Sequence, residues 1–149
     1  MAVSETFDTI PTAGHVLEHL LRTTHQLHLQ FESQLSALEV PDYLSGPRLR
    51  FLISVQEAGQ IKMSDIAAKL GIKPRTVTQF VDALEQAKLI VRTPDPDDRR
   101  ATFIRLSETA PPLIEHARHA MSESADKALS ALSPEDRGQL LRLLHQLSQ

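Results

Sequence analysis

The 149-residue sequence predicts an α+β fold, mainly α, and three observations carry that expectation. Apolar residues recur at intervals of three and four over most of the chain, which is the period of an amphipathic helix. Two β-rich runs, "LIVRT" and "ATFIRL", stand on either side of "PDPDDRR", the spacing of a hairpin with a long loop. Just before them, "SDIAAKLG" and "PRTVTQFVDALEQAK" read as two short helices joined by a tight turn.

From Pro11 to Leu38 the apolar positions Val16, Leu17, Leu20, Leu21, Leu27, Phe31, Leu35 and Leu38 predict one long helix, with proline in its first turn. "EVPDYLSGP" (39–47) breaks it with two prolines and a glycine. A second helix follows through Leu49, Leu52, Ile53 and Val55 and ends near Gly59; "QIKM" (60–63) is a candidate short strand. In the helix over 64–71, Ser64 is a candidate N-cap and Gly71 a candidate C′ residue. In the helix over 74–88, Pro74 fits the first position, and Val77, Phe80, Val81 and Leu84 form one buried face. Beyond the hairpin, a helix runs from Glu108 or Pro111 to about Leu132, with a stripe of small residues. "SPED" (133–136) opens the last helix with Ser133 as N-cap, Pro134 at N1 and Asp136 completing a capping box.

The totals exclude several classes. There is no cysteine, so disulfides, thiolate chemistry and cysteine–zinc sites are absent. "MAVSETFDTI" lacks the basic and apolar regions of a signal peptide, and no apolar run reaches the roughly 18 residues of a membrane span. A cytoplasmic protein without membrane contact is expected. No Gly-rich phosphate loop, nucleophile motif or HExxH is present, so an enzyme is not expected.

Charge is unevenly spread. Residues 1–45 carry a net −5, residues 46–106 a net +4 and residues 107–149 a net −2. A basic middle between acidic ends suggests that the middle meets a polyanion. Its small helices have helix-turn-helix proportions: Ala67 is small where they must approach, and Gly71 tolerates positive φ in the turn. With Val77 buried, Arg75, Thr76, Thr78, Gln79 and Asp82 fall on the other face, where polar side chains suit base edges and phosphates. Adding the hairpin makes a winged helix-turn-helix. Arg99 and Arg100 sit at the hairpin tip, where an arginine can reach a minor groove. Pro94 and Pro96 stiffen the loop. The three aspartates beside the arginines either pair with one of them or accept backbone N–H bonds, and so hold the loop's shape. The helices on either side carry strong apolar faces that some sixty residues cannot cover, which points to a two-fold dimer. The expected organisation is an N-terminal dimerisation helix and connector (1–45), a winged helix-turn-helix (46–106) and C-terminal dimerisation helices (107–149), integrated in one domain.

The stretch "LISVQEAGQIKMSDIAAKLGIKPRTVTQFVDALEQAKLIVRTPDPDDRRATFIRLSETA" (52–110) resembles the winged-helix core of the MarR family of transcriptional regulators. "DPDDRR" followed by a strand and "LSE" is the most specific part, and the helix order on either side also matches. The resemblance implies a homodimer that binds double-stranded DNA, with helix 74–88 in the major groove and Arg99 in the minor groove, while Asp98 and Arg100 brace the wing. It further implies repression relieved by a small, often aromatic or phenolic, acid. Three features depart from the pattern. Lys88 stands where such proteins usually have glycine, Gln79 replaces the usual arginine or serine, and the missing cysteine excludes peroxide sensing.

The expected DNA contacts are therefore Arg75, Thr76, Thr78, Gln79 and Arg99, with Lys62, Ser64, Lys73 and Arg105 anchoring the backbone. Expected effector contacts are His25, Leu29, Tyr43, Leu44, Arg48 and Phe51, where Arg48 either faces a ligand carboxylate or holds a surface salt bridge. The pairs His15/His19, His25/His28 and His116/His119 have chelating spacing, but a site needs three or four ligands, so no metal and no cofactor are expected. A winged-helix protein-interaction module and a metal-responsive regulator are the alternatives; the first would show no salt-sensitive DNA affinity.

Overall fold

The computed structural model describes residues 9–44 and 46–149; the reading of the first eight residues lies outside them. In chain order the elements are α1 (Ala13–Ala37), α2 (Gly46–Ala58), β1 (Gln60–Lys62), α3 (Met63–Leu70), α4 (Pro74–Gln86), β2 (Ile90–Pro94), β3 (Thr102–Leu106), α5 (Ala110–Ala128) and α6 (Pro134–Leu147). The fold is mainly helical with one small antiparallel sheet, ordered β1-β3-β2. Its register sets Ile61 opposite Ile104 and Arg92 opposite Ile104 on the other side. Among the described residues no helix is long and apolar enough to cross a membrane.

The chain divides into two compact units. The larger, Leu35–Glu123, extends past both ends of the expected 46–106 segment. Its core is built from Phe51, Leu52 and Val55 of α2, Ile66 of α3, Val77, Val81 and Leu84 of α4, Ile104 of β3 and Ile114 of α5, all essentially without solvent contact. The 3.6-residue period of α4 and the alternation of the strands put these side chains on one side each. Phe51 meets the half-buried Phe80 edge to face, with ring centroids 5.7 Å apart. The smaller unit combines residues up to Gln34 with those from Ser124 onward. There Val16, Leu17 and Leu21 of α1 and Leu141, Leu143 and Leu147 of α6 lie exposed.

The helix ends follow from local chemistry, with corrections to the sequence reading. Gly71 closes α3 at φ +64°, and Ile72 N–H returns to the Ala67 carbonyl at 3.1 Å. Ser64 is not the N-cap. β1 runs directly into α3, so Lys62 takes that position and no side chain caps it. Pro11 precedes α1 rather than starting it. Ser133 does cap α6, accepting from Asp136 N–H at 3.1 Å, which is one half of a capping box. Helix α4 stops at Gln86 because Lys88 turns left-handed, at φ +62°.

Candidate nucleic-acid interface

The turn between α3 and α4 begins at Gly71, and Pro74 at the first position starts α4. Burial of Val77, Val81 and Leu84 sends Arg75, Thr78 and Gln79 to the exposed side, with Thr76 half-buried at its edge. The Thr78 hydroxyl donates to the Pro74 carbonyl at 3.1 Å, which fixes its rotamer and leaves oxygen lone pairs outward. Asp82, expected on this face, is taken by an ion pair. Arg92 of β2 reaches both Asp82 and Glu85, the latter at 2.9 Å, and so ties α4 to the first wing strand. The hydrogen bond that Arg92 donates to Asp82, and then the negative charge of Glu85, hold its guanidinium above the ordinary pKa against partial desolvation.

The wing owes its shape to carboxylates. Asp98 Oδ1 accepts from Arg100 N–H at 3.0 Å, and Ala101 N–H donates to the Asp98 carbonyl at 3.0 Å. Together they close a tight turn with Arg99 and Arg100 at its two central positions. Asp95 is buried, and its Oδ1 accepts from Asp97 N–H at 2.9 Å. Its own N–H donates to the Ala101 carbonyl at 3.1 Å, while Oδ2 meets Lys62 Nζ at 3.3 Å. Bonds from the Asp97 amide, then Lys62, outweigh desolvation and lower the Asp95 carboxyl below its ordinary pKa. Of the two roles open to the acids, Asp95 and Asp98 accept backbone N–H bonds, and the cation that pairs with Asp95 is Lys62 rather than a tip arginine. Both Arg99 and Arg100 are exposed at the tip, as are Lys73, Ser64 and Arg105 on neighbouring elements.

The wing's base is fastened at Lys88. Its N–H donates to the Glu85 carbonyl at 2.9 Å, and its carbonyl accepts from Ser107 Oγ at 2.6 Å and Thr109 Oγ1 at 2.9 Å. The "LSET" run that follows β3 therefore acts as a clasp on the α4–β2 corner. Sequence reasoning missed Arg92, Ser107 and Thr109. Asp95 carried its signal in the loop itself, where an aspartate in a Pro-rich turn favours a bond from its carboxylate to a nearby backbone N–H.

The expected effector residues fare differently. His25 and Leu29 are exposed on α1, in the smaller unit. Leu44 and Phe51 are buried in the core of the larger one. Among the described residues Arg48 joins no ion pair. It donates to the Tyr43 carbonyl at 3.1 Å, and its guanidinium lies 5.8 Å from the centre of the Phe80 ring. The histidines are dispersed: His15 and His19 stack edge to face at 4.7 Å, His28 faces Glu32 at 3.2 Å, and His116 bonds the Leu38 carbonyl at 2.8 Å. Among the described residues, no three or more His, Asp or Glu side chains gather as a metal site would require.

The family model for MarR matches residues 44–102, from just before α2 to the start of β3. Among curated relatives, the transcriptional repressor MdtR of Bacillus subtilis is 31% identical over 102 residues, covering 68% of this chain and 66% of MdtR. The chain belongs to the MarR family. YwhA of Bacillus subtilis, an uncharacterized HTH-type transcriptional regulator, is 25% identical over 136 residues, covering 91% of this chain and 95% of YwhA. Matches to several other relatives span about three fifths to two thirds of their length. Solved MarR-family structures share the fold. A mutant of MarR from E. coli complexed with operator DNA aligns with TM-score 0.70 at 18% identity, covering 92% of this chain and 99% of that one. PcaV from Streptomyces coelicolor, in complex with its natural ligand, aligns with TM-score 0.73 at 16% identity, covering 94% and 96%. These relatives are transcriptional regulators and not enzymes, as the sequence led one to expect.

Proposed function

We propose that this MarR-family regulator is a homodimeric repressor that binds a pseudo-palindromic operator and is released by a small molecule. One observation carries the DNA reading: an exposed, hydrogen-bonding face of α4 lies one braced hairpin away from two exposed arginines at a wing tip. Arg75, Thr76, Thr78 and Gln79 enter the major groove, where Gln79 can pair with adenine through two hydrogen bonds. Arg99 enters the minor groove, and Ser64, Lys73 and Arg105 contact phosphates. Asp98 and the Arg100 amide hold the tip. Lys62, engaged by Asp95, serves the wing's shape before it serves a phosphate.

The exposed apolar faces of α1 and α6 support the dimer, because monomers rarely leave so many leucines in water. Two recognition helices spaced one helical turn apart read an operator of about 16–20 base pairs. Support for repression comes from the name of MdtR, and support for a ligand comes from the ligand-bound PcaV and from BpsR of Bordetella bronchiseptica, whose DNA binding is regulated by 6-hydroxynicotinic acid. Release by a ligand is a shift toward conformations of lower DNA affinity.

Fluorescence anisotropy with labelled duplex, across a salt series, tests the DNA reading. Affinity falls steeply with salt, and Arg99→Ala weakens binding by at least about 1 kcal/mol while the melting curve is unchanged. Equal affinity of Arg99→Ala and the parent at matched salt removes the wing from the interface.

A further inference from the structure

The two outer strands of the sheet, β1 and β2, share no backbone hydrogen bonds, because β3 lies between them. One side-chain pair spans that gap. Lys62 at the end of β1, Phe103 of β3 and Thr93 of β2 are register partners in one row, and Asp95 directly follows the last residue of β2. The lysine crosses the central strand: its Nζ lies 5.6 Å from the centre of the Phe103 ring and 3.3 Å from Asp95 Oδ2. Two strand spacings come to roughly 10 Å, a gap that a long and a short side chain bridge only end to end.

Both ends of this pair are nodes of the larger unit. Lys62 is the residue at which β1 passes into α3, the first helix of the helix-turn-helix. Asp95 holds the wing loop from within: its N–H donates to the Ala101 carbonyl across the loop, and its Oδ1 accepts from Asp97 N–H. The turn that carries Arg99 and Arg100 begins at the next residue, Asp98. The Asp95 side chain is only 6% exposed, and among the described residues no other cation pairs with it. Removing one partner of such a pair leaves a buried charge uncompensated, so the acid keeps its place at the cost of the lysine's freedom. The carboxylate and the ring face draw the ammonium onto the sheet and away from a phosphate.

We infer that Lys62 is a positioning residue: acting through Asp95, it fixes the wing loop, and with it Arg99, against the start of α3, and makes no phosphate contact of its own. The inference deepens the DNA reading and rests on it for the consequence at DNA; the brace itself is independent of that reading.

Two measurements on the intact protein test it. Without DNA, amide exchange reads the brace. Lys62→Met speeds exchange of the Asp97 amide about ten-fold, and Lys62→Arg, which keeps a cation, does not. With a duplex recovered from a random pool, anisotropy reads the consequence. Lys62→Met weakens binding about ten-fold, yet the slope of log affinity against log salt stays parental, whereas Lys73→Met lowers that slope by about 1. Lys62→Arg retains binding. Adding Asp95→Asn to Lys62→Met restores it, because the side-chain amide oxygen still accepts from Asp97 and no charge is buried. Thermal melts check that each variant is folded. A slope lowered by about 1 in Lys62→Met, or in the double variant should the single one fail to fold, makes Lys62 a phosphate contact and overturns the inference. Parental exchange at Asp97 in Lys62→Met overturns it too. If the parent binds no duplex while Lys62→Met still speeds that exchange, the DNA reading falls and the brace stands.

Discussion

Replacing Lys88 with glycine should stabilise the protein. Lys88 sits at φ +62°, a left-handed conformation that crowds its Cβ against the backbone. For an L-residue this costs roughly 1–2 kcal/mol. The neighbourhood leaves it no choice: its N–H is held by the Glu85 carbonyl, and its carbonyl receives the hydroxyls of Ser107 and Thr109. Glycine removes the crowding but loosens the unfolded chain, which returns roughly 0.5–1 kcal/mol. The net gain is about 0.5–1 kcal/mol, a rise of about 1–4 °C in Tm for a chain of this size. Urea melts at one fixed protein concentration measure it, since a dimer's stability depends on concentration. The midpoint should rise with an unchanged slope. Lys88→Ala keeps the Cβ and serves as the control; it should stay within about 0.5 kcal/mol of the parent. A glycine variant no more stable than the parent, or an alanine variant equally stabilised, would refute the backbone argument.

Other perturbations address the wing. Asp98→Ala removes a negative charge yet should weaken duplex binding, because the Arg100 amide loses its acceptor and the tip loses its turn; tighter binding in anisotropy would mean that the acids merely repel DNA. Asp95 sets a pH limit. Its carboxyl is held below the ordinary value of 3.8, so its contribution is complete above that value and is lost as pH falls through the lowered one. Exchange protection of the Ala101 amide should therefore persist from neutrality to about pH 4 and fade only in stronger acid. Fading already at pH 5–6 would assign the brace to another group. Arg92→Met cuts both ties to α4. Stability should change by less than about 1 kcal/mol, because the acids are largely exposed. Duplex affinity should fall further at low salt, where the released charges of Asp82 and Glu85 act unscreened. Unchanged affinity across the salt series would show that the clamp has no part in binding.

Much of this architecture was legible because it depends on periodicity and punctuation. The 3.6-residue stripe of α4, the glycine at 71, proline at 74 and the paired β-rich runs each specify local geometry on their own. What could not be read depends on contacts between distant residues. Arg92 looks like any strand arginine until the fold sets it beside Asp82 and Glu85. Ser107 and Thr109 matter only because β3 returns them to Lys88, some twenty residues earlier. The left-handed turn at Glu39 carries no glycine, so the usual signal was missing there, whereas at Lys88 the family resemblance, with its usual glycine, pointed to it. Arg48 illustrates the same limit. Its partner is a backbone carbonyl five residues away, which no charge pattern announces.

The central claim is that the chain reads DNA sequence as a dimer. Selection of random duplexes by the purified protein, followed by sequencing, tests it most directly. An enriched inverted repeat, with half-sites centred about one helical turn apart, is the predicted outcome. No enrichment over the starting pool, even at low salt where phosphate contacts are strongest, would contradict it and assign the winged helix to a protein partner instead.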